Sequence, residues 1–187
     1  INLIINEESE RGNGLGGKMI IYVKGDYFNS PAQVLTNAVN TEGVMGKGLA
    51  LEFKKKYPKM YKTYKEKCEI GAFKIGNLML CKEHGYSILL FPTKTSWRKK
   101  SELEYIEAGL IKFAENWDKL GITSIAFPKL GCGLGGLEWN TVKPLMERYL
   151  SKLPITIYIY TDFWAEKKEE SKPTEEQNNE NTGNPEL

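Results

Sequence analysis

The chain has 187 residues, 41% of them hydrophobic, which is enough for one domain with a sizeable core. No apolar run approaches the length of about 18–20 residues that a membrane helix needs, and the first residues lack the basic flank of a signal peptide. We therefore predict a cytoplasmic protein with no membrane contact. Three cysteines without paired close spacing and a single histidine, His84, exclude a disulfide framework and a two-histidine metal site.

Charge is distributed unevenly along the chain. The net charge is +2, but residues 165–187 hold seven Glu and three Lys, so the preceding 164 residues carry a charge of +6. The last segment has no aromatic residue and one leucine, and we predict that it is a disordered polar tail. Residues 1–18 end in a Gly-rich stretch and are predicted to form a flexible N-terminal segment. This leaves 19–164 as the domain, which we expect to be a monomer.

Short apolar runs rich in Ile, Val, Leu and aromatic residues alternate with helical patterns along this domain. The predicted strands are, in chain order, 19–23, 32–39, 73–81, 86–91, 122–127 and 155–160. Helices are predicted at about 47–56, from Ser101 to Gly121, and after Asn140. This alternation predicts an α/β domain with a mostly parallel sheet between helical layers.

The helix from Ser101 to Gly121 has a clear apolar face. Its apolar residues recur at spacings of three and four: Leu103, Ile106, Leu110, Phe113, Trp117 and Leu120. Ser101 with Glu104 is typical of a capping box, and Gly121 is typical of a C-terminal stop. In the last helix, Pro144 is expected in the first turn, where a backbone N–H is not needed.

Two glycine-rich loops each follow a predicted strand and precede a predicted helix. Their sequences are "TNAVNTEGVMGKGLA" (36–50) and "PKLGCGLGGLEW" (128–139). Ligands of parallel sheets bind at the carboxyl ends of the strands, and glycines next to a helix N-terminus let backbone N–H groups approach a diphosphate. Neither loop is a Walker A loop or a good GxGxxG match. Each loop alone is also explained by tight turns, but two loops on one edge favour a ligand.

Lys94 follows a buried run in "FPTKTSWRKKS" (91–101), and it is either a solvated charge or a chemical group. A lysine with a pKa of about 10.4 is protonated and inert at neutral pH. Desolvation against Phe91 and Trp97, with Arg98 nearby, would favour the neutral amine. A neutral amine is a nucleophile, so the position of Lys94 indicates chemistry.

Five separated motifs occur in order over about residues 19–162 of the chain. They are "GDYF", "TNAVNTEGVMGKGLALEFKKKYPKMYKTY", "FPTKTSWR", "IEAGL" and "LGCGLGGLEW". In order and spacing they resemble the macrodomain family, an ADP-ribose-binding fold of three α/β/α layers around a mixed, mostly parallel sheet. They are similar in particular to its lysine-dependent ADP-ribosyl glycohydrolase branch, which includes antitoxins that act on ADP-ribosylated DNA.

The resemblance implies a binding site for ADP-ribose, with no metal and no cofactor. It implies that Asp26 accepts the adenine amino group with Tyr27 beside it, and that Tyr160 packs against adenine. The other implied binding residues lie on the loops that hold the distal ribose and the diphosphate: Asn37, Asn40, Gly46, Gly48, Gly131, Cys132, Gly133, Leu134, Gly135, Gly136 and Leu137. Alternatives stay open for Asp26 as a turn cap, for Asn37 as a strand-end turn former and for Tyr160 as a core residue. His84 is expected in a hairpin loop.

Lys94 matches the catalytic lysine of the family. The implied mechanism is attack of its neutral amine on the anomeric carbon of the distal ribose, which expels the linked group and leaves a lysyl-ADP-ribose intermediate for water to resolve. Three other functions stay open: a reader that binds ADP-ribose without chemistry, a hydrolase for glutamate-linked ADP-ribose in proteins, and a phosphatase for ADP-ribose-1″-phosphate, for which the sequence offers no dedicated nucleophile. The lysine favours an enzyme, because a reader has no need of it.

Two departures from the branch bear on the substrate and the partner. Protein-directed relatives carry an acidic residue where this chain has Gly135, and DNA-directed relatives often carry histidine where it has Ser96. Because Gly135 and the basic domain favour DNA, we predict a modified base in single-stranded DNA as the substrate. The residues predicted to contact this strand are Trp97, Arg98, Lys99 and Lys100.

Alternatively, Trp97 only forms a wall of the pocket, and the three cations lie in a solvated turn. The implied partner is a cognate DNA ADP-ribosyltransferase toxin. The antitoxins carry a further C-terminal domain that binds the toxin, whereas this chain ends in a polar tail. We therefore expect hydrolysis rather than direct binding of the toxin.

Overall fold

The computed structural model describes residues 19–162, and both predicted terminal segments, 1–18 and 165–187, lie outside these residues. Six strands lie at Ile20–Lys24 (β1), Val34–Asn40 (β2), Met79–Glu83 (β3), Tyr86–Lys94 (β4), Ser124–Pro128 (β5) and Thr156–Asp162 (β6). Four α-helices lie at Gly48–Lys56 (α1), Pro58–Glu69 (α2), Leu103–Asn116 (α3) and Trp139–Leu150 (α4). A short 3-10 helix lies at Tyr27–Asn29.

The strands form one sheet in the order β1-β6-β5-β2-β4-β3. Neighbouring strands are parallel except β3 and β4, which form an antiparallel hairpin. His84 and Gly85 make the hairpin turn with φ angles of 50° and 81°. The mixed, mostly parallel sheet is confirmed, and the carboxyl ends of its five parallel strands share one edge.

Side chains alternate across the sheet, and each face is covered by a pair of helices. Within β4, Ile88 and Leu90 belong to the apolar cluster under α1 and α2, whereas Leu89 and Phe91 belong to the cluster under α3 and α4. The helices anchor themselves in these clusters through Phe53, Met60, Tyr64, Ile106, Leu110, Phe113, Val142 and Met146. The three-layer α/β/α fold is therefore confirmed.

One strand is shorter than predicted, and one helix was not predicted. The strand β3 begins at Met79 rather than at residue 73, because Gly76 turns the chain with a φ of 82° and the N–H of Asn77 donates to the carbonyl of Lys74 (3.0 Å). The helix α2 follows α1 directly and begins at Pro58. The sequence did not predict this helix, because it contains many lysines and few buried residues. Its apolar spacing is therefore hard to recognise.

The start of α3 differs from the predicted capping box. The helix begins at Leu103, and its N-cap residue Glu102 makes no side-chain capping bond. The hydroxyl of Ser101 is buried and has no hydrogen-bond partner among residues 19–162, and its backbone N–H donates to the carbonyl of Gly135 (2.9 Å). The capping box is wrong because Ser101 contacts a distant loop instead of its own helix.

The end of α3 and the position of Pro144 also differ from prediction. The helix α3 ends at Asn116, and Gly121, with a φ of 66°, belongs to the following turn, where its N–H donates to the carbonyl of Asp118 (2.9 Å). The helix α4 begins at Trp139, so Pro144 is its sixth residue and lies in the second turn rather than the first. The proline leaves one carbonyl of the first turn without its helical partner.

Candidate active site

Lys94 is the last residue of β4 and lies at the carboxyl edge of the sheet. Its Nζ donates a hydrogen bond to the carbonyl of Leu134 (2.8 Å), and its own carbonyl accepts one from the N–H of Thr41 (3.0 Å). These bonds join it to the two glycine-rich segments, which we call the first glycine loop (41–47) and the second glycine loop (129–138). Lys94 therefore lies between the two loops that the sequence singled out.

Burial lowers the pKa of the Lys94 amine below its ordinary value. Desolvation is the cause, because a partly buried ammonium loses hydration that the neutral amine needs less. The ring of Phe91 lies inside the core, edge-to-face with Phe127. The guanidinium of Arg98 lies over the ring of Trp97, 4.3 Å from its centroid. Burial between the loops, rather than a neighbouring cation, therefore favours the nucleophilic form.

The second glycine loop is folded so tightly that it has no room for a side chain at residue 135. A Cβ on Gly135 would overlap the carbonyl oxygen of Gly131 and the hydroxyl of Ser101. Gly131 has a φ of 72°, and its carbonyl accepts the N–H of Leu137 (3.0 Å). An acidic residue at position 135 is therefore incompatible with this loop conformation.

The second glycine loop presents backbone N–H groups that are available to a ligand. Within residues 19–162, no hydrogen bond uses the N–H of Gly133, Leu134 or Gly135. The helix α1 begins opposite, since a Cβ on Gly48 would lie 4.0 Å from the Leu134 side chain. The N-cap residue of this helix, Lys47, makes no side-chain capping bond. Free N–H groups and the positive end of a helix dipole together form a site for an anion such as a diphosphate.

Asn40 organises the first glycine loop from its position at the end of β2. Its Oδ1 accepts the N–H groups of Glu42 (3.0 Å) and Val44 (3.2 Å), and its Nδ2 donates to the carbonyl of Val44 (2.7 Å). The hydroxyl of Tyr64 in α2 also donates a hydrogen bond to Oδ1 of Asn40 (2.9 Å). Asn40, which was predicted to contact the ribose, therefore holds the first glycine loop in place through these hydrogen bonds.

Asn37 is a buried residue of β2. Its side chain is fully buried, and its Nδ2 lies 3.7 Å from the sulfur of Met45. Its Oδ1 has no hydrogen-bond partner within the described residues. Gly46 is exposed on the first glycine loop, next to the start of α1.

The residues predicted to hold adenine are not grouped around Lys94. Asp26 caps the 3-10 helix, because its carboxylate accepts the N–H of Phe28 (3.0 Å) and the amide of Asn29 (3.1 Å). The hydroxyl of Tyr27 is buried among strand backbone groups, and the ring of Tyr160 packs edge-to-face on Tyr27 at 5.0 Å. In the structure, Asp26 caps a turn and Tyr160 is a core residue, as the alternative interpretations of the sequence had it.

Glu42 attaches the segment that we call the tryptophan loop (95–100) to the first glycine loop. Its carboxylate accepts the hydroxyl of Ser96 (2.7 Å) and the N–H of Trp97 (3.3 Å), and it lies 3.8 Å from the guanidinium of Arg98. The hydrogen bond from Ser96 lowers the pKa of Glu42. Sequence reasoning missed Glu42, although it is the single acidic residue of the first glycine loop. Lys100 extends beside Gly136 of the second loop.

Comparison with known proteins identifies the fold family. Residues 36–146 match the family described as Macro domain. The chain belongs to the macrodomain family. The macrodomain of Mycobacterium tuberculosis DarG is 40% identical, with a TM-score of 0.74, over 77% of this chain and 98% of that one. Thermosipho africanus DarTG in complex with ADP-ribose is 46% identical, with a TM-score of 0.72, over 75% of this chain and 41% of that one.

A curated relative shows the same similarity at the sequence level. The Thermosipho africanus DNA ADP-ribosyl transferase-DNA ADP-ribosyl glycohydrolase fusion protein is 45% identical over 157 residues, which cover 74% of this chain. The chain spans 40% of the length of that protein and of a Mycobacterium bovis DNA ADP-ribosyl glycohydrolase. The resemblance inferred from the five sequence motifs is confirmed.

The part of the chain that the structure describes contains neither a membrane-spanning helix nor a cluster of metal-binding side chains. No helix there is long and apolar enough to cross a membrane. Across residues 19–162, no three His, Cys, Asp or Glu side chains are grouped so that they could hold a metal ion.

The packing of the second glycine loop predicts different effects for two neighbouring substitutions. Gly135→Ala is expected to lower the free energy of unfolding by about 1–3 kcal/mol, because its methyl group overlaps Gly131 and Ser101. Gly133→Ala is the matched control, since nothing lies within 4 Å of a Cβ there, and it is expected to change stability by less than about 0.5 kcal/mol. Urea unfolding of both variants measures the difference. Equal destabilisation by the two substitutions would contradict this account of the loop.

Proposed function

We propose that this protein is an ADP-ribosyl glycohydrolase that removes ADP-ribose from a base in single-stranded DNA. The observation that carries the proposal is the position of Lys94, whose partly desolvated amine lies 2.8 Å from the carbonyl oxygen of Leu134 between the two glycine loops. A solvated surface lysine needs neither a lowered pKa nor a carbonyl partner from a loop 40 residues away. A reader of ADP-ribose needs no nucleophile at this point.

ADP-ribose fits the arrangement of the loops through its charge. Its diphosphate carries two negative charges, which the N–H groups of the second glycine loop and the start of α1 can accept. With the diphosphate held there, the distal ribose lies toward Lys94 at the end of β4. The adenine is then directed toward the turn of Asp26, the residue that the sequence motifs imply for its amino group. The similarity to DarTG in complex with ADP-ribose supports this ligand.

The reaction proceeds through a covalent bond to Lys94. Its neutral Nζ attacks C1″ of the distal ribose as the bond from C1″ to the base nitrogen breaks, and the base keeps that electron pair and takes up the proton that Nζ loses. Water then adds to C1″ of the lysyl-ADP-ribose intermediate. The Nζ–C1″ bond breaks, Nζ regains a proton, and free ADP-ribose is released.

Two features favour a nucleic-acid substrate over a modified glutamate in a protein. The acidic residue that the resemblance gives to protein-directed relatives has no room at Gly135. The mouth of the site carries Trp97, which is 48% exposed, together with the exposed cations Lys99 and Lys100. Aromatic rings and cations are the groups that bind a single strand through its bases and phosphates.

The substrate implies a partner reaction. A DNA ADP-ribosyltransferase must supply the modified base, and the similarity to a protein that fuses transferase and glycohydrolase supports such a pairing. We propose an antitoxin-like role in the cytoplasm, where the protein reverses the modification that a cognate toxin makes.

Removing the amine of Lys94 tests the chemistry separately from binding. Lys94→Ala is expected to abolish release of ADP-ribose from a modified single-stranded oligonucleotide while free ADP-ribose still binds, because the amine acts at C1″ and not on the diphosphate. Lys112→Ala is the matched control, since it removes an exposed lysine of α3 that belongs to neither glycine loop. Calorimetry and product release measure both variants. Release by Lys94→Ala at the original rate would show that the covalent mechanism is wrong.

The same assay of ADP-ribose release also tests which class of substrate the protein acts on. The wild-type protein is expected to clear ADP-ribose from the oligonucleotide and to leave glutamate-modified protein unchanged. Activity confined to the modified protein would overturn the DNA assignment and would favour the protein-directed alternative.

The lowered pKa of Lys94 predicts the pH dependence of the reaction. The attacking amine must be deprotonated, so kcat/KM is expected to rise with pH and to level off above the pKa of Lys94. Because burial lowers this pKa, the midpoint lies below the ordinary lysine value of about 10.4. Initial rates across the alkaline range, with melting temperatures as the control for folding, measure the profile. A rate that falls as pH rises through neutrality would contradict a neutral-amine nucleophile.

A further inference from the structure

The α1–α2 helical hairpin concentrates positive charge on one layer of the fold. Residues 48–69 contain seven lysines and three glutamates. Within the described residues, two of these lysines form ion pairs, Lys55 with Glu52 (3.1 Å) and Lys65 with Glu69 (3.7 Å). The lysines without an ion pair are Lys54, Lys56, Lys59, Lys62 and Lys67.

The opposite helical layer has a different charge balance. The helix α3 contains three glutamates and one lysine, and α4 contains two cations and one glutamate. Both cations of α4 are paired, Lys143 with Glu147 (3.8 Å) and Arg148 with Glu107 (3.9 Å). Among the four described helices, the net positive charge therefore lies in the α1–α2 layer, which a general need for solubility does not require.

One end of this basic layer borders the candidate active site. The helix α1 begins at Gly48 beside Leu134, and the end of α2 lies against the first glycine loop. A Cβ on Gly43 would lie 3.6 Å from the Cα of Lys65, and the hydroxyl of Tyr61 donates to the Gly43 carbonyl (3.4 Å). Because the first glycine loop holds the tryptophan loop through Glu42, the lysines continue directly from the mouth of the site.

The other end of the layer borders an aromatic cavity of about 400 Å³. Its lining residues are Asp26, Phe28, Asn29, Lys56, Tyr57, His84 and Tyr86. Tyr86 is 53% exposed, and its ring lies 5.9 Å from that of Tyr57. The ammonium of Lys56 lies 5.0 Å from the ring of Phe28. Tyr86 therefore offers an exposed ring, in a cavity that Lys56 also lines, on which an unpaired base can stack.

We propose that this hairpin binds the phosphate backbone of the strand that carries the modified base through a surface that we call the lysine face. It consists of the unpaired Lys54, Lys56, Lys59 and Lys62, together with Lys65, whose ion pair with Glu69 is exposed to solvent on both sides. The strand leaves the mouth of the site at the tryptophan loop, follows the lysine face, and places an unpaired base against Tyr86 in the aromatic cavity. The inference rests on the proposed function, because it assigns a path to the nucleic acid on which Lys94 acts. Lysines attract phosphates without regard to sequence, and aromatic stacking adds affinity for any base.

The test uses an unmodified single-stranded oligonucleotide of about 12 nucleotides, a length within the range of single-strand site sizes. The triple variant Lys54→Gln, Lys62→Gln, Lys65→Gln removes three charges from the lysine face. The matched triple variant Lys112→Gln, Lys119→Gln, Lys152→Gln removes three exposed lysines from outside the hairpin. The measurement is the slope of log affinity against log salt concentration for each protein.

The first triple variant is expected to reduce the slope by about 2, since each phosphate contact in a single strand contributes about 0.7. The matched variant is expected to keep the wild-type slope. Tyr86→Ala is expected to weaken binding by roughly tenfold with little change in slope, because it removes stacking and not charge. An unchanged slope in the first variant, or an equal reduction in both, would overturn the proposal and would leave the lysine face to an acidic protein partner.

The outcome is separable from that of the proposed function. The oligonucleotide carries no ADP-ribose, so its binding does not depend on Lys94 chemistry, and Lys94→Ala is expected to bind it with a slope within one phosphate contact of wild type. Conversely, turnover of an ADP-ribosylated mononucleotide is expected to stay unchanged in the first triple variant. Loss of turnover on the mononucleotide in that variant would contradict a role confined to the strand path.

Discussion

The hydrogen bond from Nζ of Lys94 to the carbonyl of Leu134 holds the end of β4 against the second glycine loop. On the other side of Lys94, its carbonyl accepts the N–H of Thr41, so the same residue also fixes the first glycine loop. The lysine is thereby desolvated, and the backbone N–H groups of the second loop stay free for an anion. The proposed nucleophile is therefore held between the two loops, while the proposed anion site rests on the packing of Gly131 and Gly135 within the second loop.

That arrangement is maintained by residues that need not touch a substrate. Gly131 and Gly135 allow the second loop to fold tightly, and the backbone of Ser101 binds the carbonyl of Gly135. Asn40 and Glu42 do the same for the first loop, through contacts inside the loop and to the tryptophan loop. A substitution at any of these positions is expected to act on the reaction through the geometry of Lys94.

Sequence patterns predicted the mostly parallel sheet and the two glycine loops, because apolar runs and glycine clusters are local signals, whereas the mixed character of the sheet came from the family resemblance. The misassigned features depend on contacts between distant residues. Ser101 looks like a helix cap in sequence, yet its backbone binds a loop that follows more than thirty residues later. The hydrogen bonds of Glu42 cannot be predicted from the sequence, because only the fold brings Ser96 and Trp97 beside its carboxylate. The lysines of α2 look like an ordinary solvated surface until α4 is seen to pair both of its cations.

The central claim is that Lys94 forms a covalent bond with the distal ribose. Borohydride added during turnover reduces an imine formed by ring opening of the lysyl-ADP-ribose adduct, and peptide mass spectrometry then locates the modified residue. The account predicts an ADP-ribose-derived mass on the peptide that contains Lys94 in the wild-type protein and none in Lys94→Arg. An adduct on a different residue of the turning-over protein, with Lys94 unmodified, would contradict it.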